Sequence, residues 1–197
     1  MKNFITISAP SGSGKTTLCK AIQKMKPEIK WSVSYTTRIK RNIEKNGVDY
    51  HFISLSKFKN LMEKVYFIEW ESVHGFYYGT AKKTLDDAVE NCKTLLMELD
   101  VKGSMKIMKL FPDKTFSIFI MPPSLEHLRK RLENRGTDSK DRIEIRLKRF
   151  TKEIGFKDKF DHVIVNKNLK KAELELINIL DKKIKGVTDG IKNYTIS

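Results

Sequence analysis

The stretch FITISAPSGSGKTT, residues 4–17, decides the fold of this chain. Its first part is a short apolar, β-branched run, which predicts a buried strand. A loop rich in glycine follows, and residues 15–26 then carry apolar side chains at helical spacing until Pro27 ends the pattern. A strand, a glycine-rich loop and a helix in this order predict a loop that binds phosphate through its backbone N–H groups.

The loop departs at one position from the usual pattern G-x-x-x-x-G-K-[ST], because Ala9 replaces the first glycine. Gly12 and Gly14 keep the more demanding positions, and we predict a negative φ for Ala9, at which alanine fits without strain. Lys15 is predicted to reach the β- and γ-phosphates, and the Thr16 hydroxyl to ligate Mg²⁺. The alternative is a surface turn that resembles the pattern by chance. The predicted ATP-binding residues of the loop are Ala9, Pro10, Ser11, Gly12, Ser13, Gly14, Lys15, Thr16 and Thr17.

Three later stretches are continuous apolar runs, which are typical of parallel strands buried on both faces. They are KTLLMELD (93–100), FSIFIMPP (116–123) and FDHVIVN (160–166). Between and after them apolar residues recur at helical spacing, and Ser124 is a predicted N-cap. The stripes of the first two predicted helices are Leu18, Ile22 and Met25, then Leu85, Ala88, Val89 and Cys92. Strands that alternate with helices predict an α/β fold, a parallel sheet flanked by helices.

Residues 31–80 break this alternation with short β-like pieces around one brief helix, which predicts a small, mainly β insertion. After the insertion, Glu98 and Asp100 stand at the C-terminal end of a buried strand. In a parallel sheet that end lies beside the phosphate loop, so we predict that these carboxylates lie near the Mg²⁺ and the phosphates. The alternative for either acid is an ordinary end-of-strand residue.

Composition narrows the classes of protein that fit. A chain of 197 residues favours one domain, and no apolar run approaches the roughly 20 residues of a membrane-spanning helix. Cys19 and Cys92 lie far apart, so we expect small buried side chains in a reduced, cytoplasmic compartment and no zinc. The net charge of +15 is compatible with nucleic-acid binding. Residues 129–152, however, lack the interleaved aromatic residues of a single-strand platform, and we predict no nucleic-acid partner.

Several separated motifs make the chain similar to guanylate kinases, which phosphorylate GMP to GDP with ATP. The resemblance extends to about residue 184. Its motifs are SVSYTTRIKR (32–41), GVDYHFIS (47–54), FIEWESVHGFYYGT (67–80), ELDVKG (98–103), PPSLEHLRKRLENRGTDS (122–139) and VIVN (163–166).

The resemblance implies one domain, residues 1–184, with a P-loop NTPase-type sheet, a GMP-binding insertion and a helical lid that closes over both nucleotides. The implied division is a core of residues 1–31, 81–123 and 160–184, an insertion of 32–80, a lid of about 124–159 and a tail of 185–197. The expected partners are ATP and GMP, with Mg²⁺ as cofactor and dGMP as a second acceptor. We expect a monomer or a small homo-oligomer.

The resemblance also assigns roles to particular residues. The GMP phosphate would be held by Arg38, Arg41, Tyr50 and Tyr78. The guanine would be recognised by Ser34, Glu69 and Thr80, and Asn166 would lie near the ATP base. Glu98 and Asp100 would complete the GMP site, with Thr16 and Asp100 serving the metal, partly through water. The catalytic set would be Lys15, Arg38, Arg131, Arg135 and Arg146.

Elementary chemistry agrees with these roles. Guanine presents two adjacent donors, N1–H and the 2-amino group, and Glu69 can accept from both, whereas adenine offers a lone pair at N1. GMP is already largely a dianion at neutral pH, so no general base is needed and no histidine receives a catalytic role. One rival is a non-catalytic guanylate-kinase-like module that binds phosphorylated peptides, although such modules typically lose the lysine and lid arginines kept here. A second rival is a nucleic-acid-dependent ATPase, which leaves the guanine-reading set unexplained.

Overall fold

A sheet of five parallel strands forms the centre of the molecule, as the alternating pattern predicts. The computed structural model describes residues 2–73, 75–136 and 138–185. The strands of this sheet are β1 (Phe4–Ser8), β2 (Lys30–Trp31), β7 (Leu95–Glu98), β8 (Thr115–Met121) and β9 (His162–Val165). Their spatial order is β2-β7-β1-β8-β9, so the strand that leads into the glycine-rich loop lies in the middle. Every residue of that strand is buried, which explains its continuous apolar run.

Helices cover both faces of this sheet. Helices α1 (Lys15–Met25) and α7 (Leu169–Lys185) contact each other on one face, where Leu18 and Leu176 are fully buried in the same cluster as Ile7. Helices α3 (Lys82–Glu90) and α4 (Val101–Leu110) contribute Leu85 and Ile107 to a second buried cluster. The five parallel strands are therefore packed between two apolar layers, as in other α/β folds.

A second sheet is built from the residues between β2 and α3. Its four short strands follow the order β4-β3-β6-β5, and only β3 and β4 pair in parallel. They are β3 (Tyr35–Thr36), β4 (His51–Phe52), β5 (Phe67–Val73) and β6 (Phe76–Ala81). Helix α2 (Leu55–Glu63) begins at Ser54, whose hydroxyl accepts the backbone N–H of Lys57, and it buries Phe58. These residues form the predicted mainly β insertion.

Two further helices stand between β8 and β9. Helix α5 (Leu125–Arg135) is capped by Ser124, as predicted, because the Ser124 hydroxyl accepts the backbone N–H of His127. Helix α6 (Lys140–Ile154) is capped in the same way by Ser139. The two helices share a small apolar cluster that includes Leu132 and Leu147. This cluster lies apart from those that cover the sheet, so the pair has a core of its own.

Three details of the sequence analysis need correction or addition. Met25 is 52% exposed, so the apolar stripe of α1 ends at Ile22. Cys92 was expected to be buried on α3, but the helix ends at Glu90 and Cys92 is exposed with a positive φ of 52°. Cys19 is buried, as expected. Helix α4 has no counterpart in the predicted elements. Within the described residues, no helix has the length and apolar character to cross a bilayer.

Candidate active site

The loop after β1 has the backbone shape that its glycines predict. Gly12 and Gly14 have φ values of 91° and 92°, in the region that favours glycine. A side chain at Gly12 would also meet Leu128 and Leu132 of α5 at 2.9 Å, and one at Gly14 would meet the Asn166 amide at 2.5 Å. Positive φ outside glycine is confined to Val65 and Cys92 among the described residues, so the prediction for Ala9 is confirmed.

Buried groups on both sides hold the loop in place. The amide of Asn166 is buried and donates to the Ser13 carbonyl at 2.8 Å, and the Ser13 N–H donates to the Pro10 carbonyl at 3.1 Å. Ala9 is buried in the cluster beneath the loop. Thr16 and Thr17, by contrast, are exposed at the start of α1. The loop therefore rests on apolar and amide contacts while its helix end remains open to solvent.

Lys15 and Thr16 turn toward the end of β7. The Lys15 ammonium donates to the Leu99 carbonyl at 2.8 Å and lies 4.0 Å from a carboxylate oxygen of Glu98. The Thr16 hydroxyl donates to the same carboxylate oxygen at 2.6 Å. The expectation that this strand end lies beside the phosphate loop is thus met by Glu98 directly.

Glu69 is a buried carboxylate in the second sheet. Its side chain is 4% exposed, and it accepts a short hydrogen bond from the Thr80 hydroxyl on the neighbouring strand. Burial is the main cause that raises the pKa of Glu69 to about 7, the hydrogen bond from Thr80 opposes the rise and Asp100 adds to it. Ser34 is also buried, and its carbonyl accepts the His51 N–H. A buried acid with one protein donor has capacity for further donors from a ligand.

Arginine and tyrosine side chains gather at the other end of this sheet. Arg38 binds the Glu44 carboxylate through its two terminal guanidinium nitrogens, at 3.0 and 2.7 Å. The guanidinium carbon lies 5.5 Å from the centre of the Tyr50 ring. The Tyr50 and Tyr78 rings are 6.0 Å apart. Arg41 is exposed, and its backbone N–H donates to Glu44 at 2.8 Å. Two arginines and two phenols thus converge, which is a donor set suited to a dianion.

This cluster faces the phosphate loop. Burial is the main cause that raises the pKa of Tyr50 well above its usual value, and the Glu98 carboxylate also raises it. Lys20 of α1 adds a direct ion pair with Asp49 at 3.0 Å. This ion pair connects the segment that carries Tyr50 to the helix that follows the phosphate loop.

Comparison with known proteins decides the family. The sequence model of the guanylate kinase family matches residues 1–183. A guanylate kinase from Syntrophotalea carbinolica is 43% identical over 177 residues, covering 90% of this chain and 84% of that protein. One from Wolinella succinogenes is 41% identical over 176 residues, which are 89% of this chain and 82% of that protein. This chain belongs to the guanylate kinase family.

The solved structures agree. The crystal structure of guanylate kinase from Anaplasma phagocytophilum matches with a TM-score of 0.74 at 33% identity, covering 92% of this chain and 86% of that chain. The resemblance proposed from the motifs is therefore confirmed, and so is the α/β fold with a parallel sheet flanked by helices. The relatives named guanylate kinase, 41% and 43% identical over most of the chain, support an enzyme of this kind.

Two of the arginines expected in a guanylate kinase lid touch the phosphate loop or its support. Arg131 of α5 donates to the Asn166 carbonyl at 2.7 Å. Arg146 of α6 contacts the Ser11 hydroxyl of the loop and forms an ion pair with Asp138 at 3.1 Å. Helices α5 and α6 therefore bring positive charge to the loop itself. The side chain of Arg135, the third expected arginine, lies outside what the structure describes, as does Thr137 in the turn between the helices.

Asp100 has both of its oxygens engaged. Oδ1 accepts the Gly103 N–H at 2.8 Å and so caps α4, and Oδ2 pairs with Arg149 of α6 at 3.2 Å. A Cβ at Gly103 would lie 2.8 Å from Oε2 of Glu69 and 3.1 Å from Asp100. Asp100 is thus part of the wall around Glu69, and its carboxylate is already held by two donors.

Several residues of this site received no role from the sequence. Glu44, Asp138, Gly103 and Arg149 contact predicted site residues, and Lys20 pairs with Asp49, the neighbour of Tyr50 in the chain. Glu44 is six residues from Arg38 and is the one such contact that a local pattern of charges could have revealed. The side chains of the described histidines make other contacts: His51 stacks on Tyr35, His127 contacts Ser124 and His162 faces Glu175. His74 lies outside the described residues.

Proposed function

We propose that this chain transfers the γ-phosphoryl group of ATP to GMP, and to dGMP, to form the nucleoside diphosphate. The observation that carries the proposal is the buried Glu69–Thr80 pair beside Gly103 and Asp100, which follow the Leu99 carbonyl that the loop lysine, Lys15, contacts. A carboxylate at the surface is hydrated and needs no hydroxyl partner. A carboxylate that recognises a base must instead be removed from water and held in place. Membership of the guanylate kinase family supports the same conclusion.

Guanine recognition follows from the donors and acceptors that the base presents. Ionised Glu69 has lone pairs left for guanine N1–H and the 2-amino group, while Ser34 and Thr80 offer hydroxyl groups for O6. Adenine would leave the carboxylate facing a lone pair. A site built to hydrogen-bond a group can reject an analogue that lacks it by roughly 10⁴-fold at best.

The GMP phosphate fits the cluster of arginines and phenols. Arg38 is held by Glu44, and the phosphate would take over part of that hydrogen bonding, joined by Arg41, Tyr50 and Tyr78. The raised pKa of Tyr50 keeps its phenol protonated, so that it can donate to an anion. The second pKa of a phosphate monoester is about 6, so the acceptor oxygen needs no general base at neutral pH.

ATP would bind along the loop, with its phosphates facing the N-terminus of α1 and its base near Asn166. On binding, Lys15 would exchange the Leu99 carbonyl for phosphate oxygens, and Arg146, Arg131 and Arg135 would place positive charge on the transferring group. The role of these residues is to align the two phosphates and to neutralise charge.

Magnesium fits the residues that are present. The Thr16 hydroxyl donates a hydrogen bond to Glu98, so the lone pairs of its oxygen are free to ligate a cation. Asp100 already has two donors and would act through water. Mg²⁺ usually keeps several waters and takes further oxygens from substrate phosphates. When bound, the ion would neutralise charge between the β- and γ-phosphates.

The same proposal includes the division into core, insertion and lid. The core is residues 1–31, 81–123 and 160–184, the insertion 32–80 and the lid about 124–159, with the tail of 185–197 falling almost entirely outside the described residues. A cytoplasmic location agrees with two free cysteines. The partners are ATP and GMP rather than nucleic acid, and the enzyme acts as a monomer or a small homo-oligomer.

One assay tests the reaction. Purified protein with ATP and Mg²⁺ is given GMP, dGMP, AMP or UMP, and ADP release is followed. Turnover with GMP and dGMP but not with AMP or UMP is expected. Folded protein that binds ATP but shows no turnover with GMP would contradict the proposal and favour the phosphopeptide-binding module.

A single substitution tests the guanine contact. Glu69→Gln replaces one acceptor oxygen by a donor amide, so we expect GMP use to fall about 10²-fold or more while ATP binding is unchanged. Glu71→Gln is the matched control, because Glu71 lies on the same strand with its side chain 31% exposed. Equal loss of GMP and ATP binding in Glu69→Gln would refute its role in reading guanine.

A further inference from the structure

Arg149 of α6 joins three parts of the molecule. Its Nε donates to Glu153 on the next turn at 2.6 Å, and its NH2 group donates to Asp100 at the end of β7 at 3.2 Å. The side chains of Arg149, Asp100 and Glu153 are 28%, 17% and 12% exposed, so the pairs are largely shielded from water. Shielded arginine–carboxylate contacts fix geometry in a way that exposed pairs do not.

The carboxylate that Arg149 holds leads directly to Glu69. With Oδ2 held by Arg149, the other oxygen of Asp100 caps α4 at Gly103. Gly103 in turn packs so closely against Glu69 that there is no room for a methyl group between them. A rotation of the Asp100 side chain would therefore release the cap of α4 and open the wall against which Glu69 rests.

We propose that Arg149 is a positioning residue for GMP recognition. It anchors Asp100 to the lid helix in the conformation in which Asp100 and Gly103 form the wall behind Glu69. The inference rests on the proposed function, since it assigns a means by which the guanine-reading carboxylate of that same site is held in place.

Arg149 differs from the other cations of α6 in this respect. Lys148 and Lys152 on the same helix are exposed, and Arg146 points to the phosphate loop through Ser11 and Asp138. Arg149 instead has its donors divided between two carboxylates, one on its own helix and one on the sheet. That arrangement suits a residue that orients protein groups rather than one that binds a substrate phosphate.

The surrounding charges explain why one arginine is needed here. Burial is the main cause that raises the pKa of Glu153, Asp100 raises it further, and Arg149 and Lys15 oppose the rise. Without Arg149, the carboxylates of Asp100 and Glu153 would each lose a charged donor in a place that is largely shielded from water. Removing one partner of such a contact leaves the remaining charge poorly compensated, so the Asp100 side chain would be free to turn away.

A double-mutant cycle without any nucleotide tests the anchoring itself. Arg149→Gln, Asp100→Asn and the double variant are compared in urea unfolding, and Asp100→Asn keeps an oxygen that can cap α4. We expect the two changes to be coupled, so that the double variant loses about tenfold less in the folding equilibrium constant than the product of the two single losses. Additive losses would overturn the anchoring. If the two positions are coupled but the wild-type protein does not phosphorylate GMP, the anchoring of Asp100 by Arg149 stands and the proposed function is contradicted.

Kinetics then test the effect on GMP. In Arg149→Gln we expect the KM for GMP to rise about tenfold while the KM for ATP changes less than about twofold. Arg149→Lys keeps the charge but has one nitrogen in place of the two that reach Glu153 and Asp100, so its KM for GMP is expected to fall between those of the wild type and Arg149→Gln. Lys148→Gln removes the same charge from the exposed neighbouring position and is expected to behave as the wild type.

The opposite patterns overturn the proposal. Equal increases of both KM values would show a general structural role, and a lower kcat with unchanged KM values would show that Arg149 acts on the transferring phosphate. A response of Lys148→Gln equal to that of Arg149→Gln would show that only the net charge of α6 matters.

Discussion

At the scale of single residues, Gly103 shows how a guanine-reading carboxylate constrains its neighbours. The residue lies inside α4, where helix propensity alone favours alanine over glycine by about 1 kcal/mol. A Cβ there would lie 2.8 Å from Glu69, which is closer than a carbon and an oxygen normally approach, and 3.1 Å from Asp100, which is a tight contact. Helix propensity therefore favours alanine at position 103, whereas the space beside Glu69 and Asp100 favours glycine, and glycine is present.

Gly103→Ala is expected to fold but to use GMP poorly. The added methyl group would displace Glu69, Asp100 or both, so we expect the KM for GMP to rise about tenfold or more while ATP binding is unchanged. Steady-state kinetics with each nucleotide varied in turn measures this. A variant that is more stable than the wild type and retains its KM for GMP would show that both carboxylates move aside without consequence.

Glu69 itself gives a prediction about stability and pH. Its pKa of about 7 in the folded protein lies above the usual value of 4.5, so the folded state binds the proton more tightly than the unfolded state does. The contribution of the protonated Glu69 side chain to the free energy of unfolding is fully present below about pH 4.5 and is lost as the pH rises through about 7. Glu69→Gln has no carboxyl group to ionise and avoids that loss.

We therefore expect Glu69→Gln to gain stability over the wild type as the pH rises. In urea unfolding without nucleotide, the gain should be near zero at about pH 5 and at most about 3 kcal/mol at about pH 8. Glu71→Gln serves as the control, because Glu71 is partly exposed on the same strand. A stability difference between Glu69→Gln and the wild type that is the same at both pH values would contradict the raised pKa.

At the scale of secondary structure, Asp161 and Ser117 hold the edge strand β9 to β8. The Asp161 carboxylate accepts both the Ser117 N–H at 2.8 Å and the Ser117 hydroxyl at 2.7 Å. The Asp161 N–H returns a hydrogen bond to the same hydroxyl at 3.0 Å. Ser117 is fully buried, so its donors have no access to water if the carboxylate is removed.

Asp161→Ala is expected to destabilise the fold by about 2 kcal/mol, because it leaves two buried donors of Ser117 without an acceptor. Urea or thermal unfolding measures the change. Asp158→Ala, at an exposed position three residues earlier, is the matched control and should change stability by less than about 0.5 kcal/mol. Equal effects of the two substitutions would show that charge, rather than the contact with Ser117, determines the result.

The sequence predicts elements better than it predicts contacts between them. Continuous apolar runs predict β1, β7, β8 and β9 because these strands are buried on both faces. Helix α4 escapes prediction, since its start depends on the Asp100 cap and it contains a glycine that the site requires. The glycine-rich loop is readable because its shape is local, whereas the contact of Arg149 with Asp100 spans 49 positions and no short-range pattern announces it.

At the scale of the whole molecule, the site is divided between a core that holds the phosphate loop and a smaller sheet that holds Glu69 and Arg38. An enzyme that acts by aligning two phosphates needs a fixed distance between the two halves of its site, because a small displacement of the acceptor lowers the reaction rate. Lys20 on α1 and Asp49 beside Tyr50 form an ion pair at 3.0 Å across the boundary. Asp49 also accepts the Lys45 N–H at 2.8 Å, which orients its carboxylate toward the core.

Lys20→Gln is therefore expected to weaken GMP use through the position of the smaller sheet. The Lys20 side chain is 57% exposed, so the pair is screened by salt and its effect is modest. We expect the KM for GMP to rise about two- to fivefold at low salt and to approach the wild-type value at about 0.5 M salt. Lys24→Gln, at an exposed position one turn later on α1, controls for the general screening of the GMP dianion. Salt profiles of KM that coincide for the two variants would show that net charge, and not the contact with Asp49, governs GMP binding.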